Sequence, residues 1–559
     1  MSVDWLIRGA RVVDGTGAPA FRADVALVGE RIAAVGDLDE PATRTIEADG
    51  LVLTPGFIDV HTHYDAQLHW EPTASPSSWH GVTSVLCGNC GFTLAPARPG
   101  DRDWLAQMLS RVEGMAPEAL RAGLDFAGGS FGDFWRGLEG RLGVNAGGYV
   151  GHSAVRRYAM GEAASLRAAR PDEIAAMQGL VRESLLEGAL GFSSSQLELH
   201  LAHDGREVPS NHAAPEELVA LASVLREFPG RTIEFIPRSF LEGYSAADRA
   251  LILEMARVSG CAIELNLVTP LPAAPEGWRR SVEFAHEAAA LGLAVHPMFA
   301  ANRLGAYFAL DSTFLFDELP AWRETLTLPG PARAARLRDP GVREALRGDL
   351  GRARSFAPHW PVCVVEAVRD PEHRGWLGQS VAELAAERGA DPLDCFLDLS
   401  LEEGLETTFA QHRPMDAELR AATESLIRDP LVTAGSSDAG AHLLSLIGVD
   451  YTTRLLCEWA PAALSLEAAV AKLTGIPAAR HGLAGRGLLR AGAFADLVLL
   501  DLERLRPGRT RLVRDFPAGS ARLVIDAEGY VATFVNGEPL LENGKPSGAL
   551  PGRVLRGGA

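Results

Sequence analysis

The sequence has almost no lysine. Lys472 and Lys545 are the only two among 53 Lys and Arg residues, so the other basic side chains are arginines and side-chain amines are scarce for chemistry. Positive charge is short overall: 53 basic against 72 acidic residues give a net charge of −19 and a pI near 5.3. That balance argues against general nucleic-acid or anionic-membrane binding, which concentrates positive charge, and leaves room for a small basic pocket. Six cysteines in 559 residues are too few for a disulfide scaffold. No run of about 18 uncharged apolar residues occurs, so no transmembrane helix is expected. The opening MSVDWLIRGARVVDG puts Asp4 and Arg8 inside any would-be apolar segment and does not read as a signal peptide. These absences predict a soluble cytoplasmic protein with no nucleic-acid or membrane partner; homo-oligomerisation is left open.

What is present is a large apolar share, 47% of residues, enough for an extensive core. Residues 1–54 alternate apolar and polar positions between Gly/Asp turns, and 481–559 repeat that style in FADLVLLDLERL and ARLVIDAEGYVATFVNGEPLL. One β-sandwich domain built from both chain ends is expected. Between them, apolar runs alternate with Ala/Leu/Glu/Arg-rich helices such as PDEIAAMQGLVRESLLEG. The runs are FIDVHTH (57–63), TSVLCGN (83–89), NAGGYVGHS (145–153), ALGFSSS (189–195), TIEFIP (232–237), AIELNLV (262–268), AVHPMF (294–299) and LVTAGSSD (431–438). Eight such units predict an α/β fold, a (β/α)8 barrel over 55–480, with a helical insertion at about 300–430 above its mouth.

The sharpest chemical feature is His61-Thr62-His63 at the end of the first apolar run. Residues i and i+2 of a strand point to one side, so two imidazoles are presented together where barrel enzymes place their active sites. Two histidines cannot close a metal site; three or four donors are needed.

PGFIDVHTH resembles the metal-binding strand of the amidohydrolase superfamily, and GVTSVLCGNCGFTLAP resembles the second-strand region of N-acyl-D-amino-acid deacylases. NAGGYVGHSAVR, EGALGFSSS, LVTAGSSDAGAH and GRGLLRAGAFADLVLLD are similar to further segments of those enzymes, so the likeness touches most of the chain. It implies a (β/α)8 barrel flanked by a β-sandwich, with divalent metal activating water. It also implies that His61, His63, Cys90 and Asp438 are metal ligands. The deacylases carry two more histidine ligands on the fifth and sixth strands. RTIEFIPRSF and CAIELNLVTP contain none, and Glu234, Glu264 and Asn266 are the polar residues there. A carboxylated lysine bridging two metals from the fourth strand is excluded, because both lysines lie beyond the eighth. Four donors of N, N, S and O type suit one Zn²⁺ per chain.

The expected reaction is hydrolysis of a C–N amide bond in a small molecule. An N-acyl amino acid, with the D form suggested by the resemblance, is the expected substrate. Asp438 would act as general base and acid, and His152 would assist the oxyanion. Arg238 and His296, at strand ends, are candidates for substrate binding. His442 acts from the Asp438 loop or structures it, and Asp65 orients a ligand or the loop. Cys87 reads as a buried small residue, and His69, His80, His200, His203 and His212 as mostly solvated loop residues. Hydrolysis of a cyclic amide or imide is the nearest alternative. Further ones are a deaminase or lyase on the same scaffold, and a metal-poor barrel that binds a ligand without cleaving it.

Overall fold

The computed structural model describes residues 3–271, 274–299, 301, 305–311, 313–354, 356–412, 415–445 and 448–558. The chain ends are joined at Leu497–Leu500, a four-residue apolar strand buried along its whole length. It pairs antiparallel with Val52–Pro55 on one side and with Tyr530–Val535 on the other. The result is one nine-stranded sheet in which Val3–Val12 pairs with Phe21–Val28, Ala42–Glu47 and Val52–Pro55. Alternation along these strands buries Trp5, Ile7, Val25, Leu27, Leu497, Leu499 and Phe534 in a common apolar cluster.

All eight expected central strands form. The first three, Phe57–Asp59, Val82–Cys87 and Asn145–Gly148, are parallel neighbours. The third strand breaks at Tyr149 and resumes at Val150–Gly151. From there a parallel ladder runs through Gly191–Ser195, Thr232–Ile236, Ala262–Leu265, Val295–Phe299 and Thr433–Ala434. A parallel bridge between Thr62 and Ala439 brings the segment after the first strand against the one after the eighth. Helices such as Pro171–Leu186 and Pro215–Val224 carry the chain back between strands, each opening with proline at its first position, where no amide hydrogen is needed. Among the described residues no helix is long and apolar enough to cross a membrane.

The insertion departs from the helical expectation. Its expected start at about 300 lies outside the described residues. From Gly305 onward it holds a three-stranded antiparallel sheet, Gly305–Phe308, Thr408–His412 and Cys363–Ala367, beside five helices between Pro320 and Glu402. The sequence GAYF and the run PVCVVEA are too short to separate strand from helix by periodicity. The insertion owns a core, in which Phe308, Phe316, Trp322, Phe396 and Phe409 are fully buried and Trp322 stacks on Phe316 with ring centroids 4.2 Å apart. It is tied to the rest by an ion pair between Arg111 and the buried Asp317.

Because that core is separate, Trp322→Ala should cost about 3–5 kcal/mol locally. Limited proteolysis of the variant should then cut first within 305–412. Cleavage scattered evenly over the chain would contradict a separate core.

Candidate metal centre

The segment after the first strand is fixed by backbone bonds on both sides. Thr62 donates from its amide to Leu86 O (3.0 Å) and from its hydroxyl to the same oxygen (2.9 Å). On the other side His63 N donates to Ala439 O (2.7 Å) and Asp438 N to His61 O (3.2 Å). Thr62 thus faces the second strand, while both imidazoles turn the other way, towards Asp438. Gly440 packs on the His63 backbone at φ +88°, where a Cβ would lie 2.6 Å from His63 C, so no larger residue fits.

Cys90 reaches the same point from the second strand through a left-handed turn (φ 57°). Its amide donates to Glu234 Oε2 (2.7 Å), a buried carboxylate of the fifth strand. Asn89 secures the turn through bonds to Thr62 O and Leu86 O, and Asp65 accepts the Gly88 amide at 3.1 Å. Asp65 therefore orients the loop.

Three donors converge: His61, His63 and Cys90 offer ligand atoms within 4.8 Å of one another, and Asp438 approaches both imidazoles. Asp438 Oδ1 lies 3.3 Å from His61 Nε2 and 3.3 Å from His63 Nε2. Cys90 Sγ lies 3.4 Å from His61 Nε2 and 3.8 Å from His63 Nε2. Tetrahedral zinc, with bonds of about 2.0–2.3 Å, holds its ligand atoms roughly 3.3–3.8 Å apart, and each of these four separations lies in that range. The outer ring nitrogens face carboxylates: His63 Nδ1 is 3.0 Å from Glu113 Oε1, and His61 Nδ1 is 3.7 Å from Glu234 Oε1. Carboxylate–imidazole pairing of this kind orients metal-binding histidines.

With this geometry in view, residues 44–540 match the amidohydrolase family. The chain belongs to that family. This amidohydrolase is 30% identical to an N-acyl-D-glutamate deacylase of Alcaligenes xylosoxydans xylosoxydans over 565 residues, covering 99% of this chain and 96% of the relative. It is 29% identical over 562 residues to the D-aminoacylase of the same organism, covering 99% and 97%. Among solved structures, the N-acyl-D-glutamate deacylase of Bordetella bronchiseptica, in complex with zinc and a phosphonate inhibitor, aligns over 100% of both chains with a TM-score of 0.67 and 26% identity. The amidohydrolase is D-aminoacylase-like, a hydrolase of carbon–nitrogen bonds other than peptide bonds.

Charge at the centre is set by burial and close partners. Burial alone would raise Asp438, but hydrogen bonds from His61 and His63 hold it well below the usual carboxylate range. Burial likewise lowers His61 and pushes the Cys90 thiol well up. At His63 the pull of burial is overcome by the Glu113 charge and the bond to Asp438. Glu234 is pushed up to about 8 by burial.

Three sequence expectations fail here. His152 opens a helix (His152–Met160), and both its ring nitrogens are taken, by Ser194 Oγ (2.8 Å) and Glu217 Oε1 (2.7 Å). Glu217 also receives Arg156, so His152 belongs to a closed buried network and is not poised over the four donors. His296 lies in register with Glu264, second in its five-residue strand, and bonds Leu431 O ahead of the eighth strand. It therefore lies at the N-terminal end of its strand, opposite the C-terminal ends that lead to His61, Cys90 and Asp438. Arg238 pairs with the exposed Glu198 at 2.6 Å and lines a groove on the helices outside the strands.

Of the polar residues on the altered strands, Asn266 joins the centre, its Nδ2 3.3 Å from His61 Nε2 and its Oδ1 accepting from Ser436. Glu264 instead binds Thr433. His442 joins too: Nε2 is 3.6 Å from Asp438 Oδ2, and the ring stacks on Phe314 of the insertion at 4.3 Å. His80, expected to be solvated, is fully buried between Thr453 and Ile525 O. Glu113 had no signal in the sequence, since it ends an ordinary amphipathic helix (Arg102–Val112) and reaches His63 only through tertiary packing.

Glu113→Gln should weaken zinc affinity about 10–100-fold, measured by competition with a chelator, because the pairing that orients His63 loses its charge. Unchanged affinity would remove Glu113 from the centre.

Proposed function

We propose that this chain is a mononuclear zinc hydrolase that cleaves the amide bond of an N-acyl amino acid, of D configuration, or a related amide. The observation that carries this reading is the grouping of His61, His63 and Cys90, with Asp438 Oδ1 3.3 Å from both imidazoles. The printed activities of the deacylase relatives support the substrate class. We further take the eight parallel strands, with the Thr62–Ala439 bridge, as a closed (β/α)8 barrel over 55–480. The flanking 1–54 and 481–559 segments then form the sandwich domain.

Zinc bound by these residues supplies Lewis acidity, acidifying a water and polarising the substrate carbonyl. The protein divides the remaining work between the two oxygens of Asp438. Oδ1 sits among the imidazoles and belongs to the ligand set. Oδ2 is turned to His442 and is the oxygen able to take a proton from the attacking water and return it to the leaving nitrogen. Hydrogen bonds from His61 and His63 keep Asp438 ionised, as a metal ligand must be. His442, braced by Phe314, walls the same side of the site and couples it to the insertion.

The test is hydrolysis of a panel of N-acyl-D- and N-acyl-L-amino acids and cyclic amides by zinc-loaded protein. Asp438→Asn, which keeps an oxygen donor, should lose about 10²–10⁴-fold in kcat/KM while still holding zinc. Wild-type turnover in that variant would overturn the assignment of Asp438.

A further inference from the structure

His152 is locked into another network, so the centre still needs a hydrogen-bond donor for the oxygen that becomes negative when water adds to an amide. His200 has the placement and the tautomer for it. It follows the fourth strand, whose last residue, Ser195, lies at the same strand ends as the metal ligands. Its backbone is held at both polar groups, the amide donating to Leu197 O (3.0 Å) and the carbonyl accepting from Val208 N (3.1 Å). Its ring meets the buried Phe92 edge-on at 5.0 Å, and Phe92 is two residues beyond Cys90. The charges acting on it are those of Glu113, His442, His63 and Asp438, two of the candidate ligands and two of their neighbours.

Ser195 is the partner of the inner ring nitrogen. Its Oγ accepts the Leu197 amide (3.2 Å) and lies 2.9 Å from His200 Nδ1. Of the two arrangements this contact allows, we take the one in which the hydroxyl donates to Nδ1. Nδ1 is then unprotonated and the ring proton sits on Nε2, which has no hydrogen-bond partner among the described residues. Burial lowers the imidazole to about 4, so the ring is neutral at pH 7. A neutral imidazole that donates through one fixed N–H is suited to stabilising a developing oxyanion.

We propose that His200 is a catalytic residue of this hydrolase, donating from Nε2–H to the scissile carbonyl oxygen, with Ser195 fixing its tautomer. This rests on the metal-hydrolase reading above. The test uses cobalt-loaded protein and acetohydroxamate, which presents a carbonyl oxygen to the metal, with binding followed by the cobalt absorption band. His200→Ala should bind cobalt normally and acetohydroxamate about tenfold or more weakly, as expected for the loss of a hydrogen bond to a charged oxygen. Ser195→Ala should show a smaller loss in the same direction. On any amide the wild type turns over, His200→Ala should lower kcat about 10²–10³-fold, with partial recovery on adding free imidazole. Wild-type acetohydroxamate affinity in both variants, or loss of cobalt from His200→Ala, would overturn the role of His200 and leave the hydrolase reading standing. A wild type that takes up no cobalt would overturn the hydrolase reading, and His200 with it.

Discussion

The centre depends on the backbone of one residue, Thr62, being held from both sides. Its amide and hydroxyl are committed to Leu86 O, and its neighbours exchange bonds with Asp438 and Ala439. Alternation about that pinned residue is what aims His61 and His63 at one point. The same bonds bring Asp438 to that point, so two residues after the first parallel strand and one after the last are assembled by a single short ladder. A shift of one residue in this register would exchange both imidazoles for Thr62.

The second constraint is electrostatic. Glu113, Glu234, His61, His63 and Cys90 are all buried, and the outer atoms of both His–Glu pairs lack fully formed hydrogen bonds. Burying ionisable groups this closely is costly unless a charge of opposite sign compensates them. A divalent cation among His61, His63 and Cys90 would do so, and would favour the thiolate of Cys90 that burial otherwise opposes. The altered fifth strand then has a clear use. Glu234 holds the amide of Cys90 in its left-handed turn, so a carboxylate of the fifth strand organises the Cys90 loop.

Much of this was legible in the sequence because it depends on local pattern. Short apolar runs between helical stretches marked all eight parallel strands, and His61-Thr62-His63 declared its geometry by spacing alone. Cys90 and Asp438 came from resemblance. What stayed hidden depends on distance through space. Glu113 is unremarkable until its helix packs against His63. His296 is at a strand in the sequence, but that strand starts only at Val295, which leaves His296 at its N-terminal end. His152 and His200 both follow short strands. Only the helix beginning at His152 and the Ser195 contact of His200 determine which imidazole is enclosed and which retains a free N–H.

The central claim, one ion held by two histidines, a cysteine and an aspartate, is tested most directly by zinc K-edge X-ray absorption on zinc-loaded wild-type protein. The account predicts one sulfur at about 2.3 Å and nitrogen or oxygen neighbours at about 2.0–2.2 Å, with no metal–metal scattering. A first shell without sulfur, or a second zinc at roughly 3.5–4 Å, would contradict it.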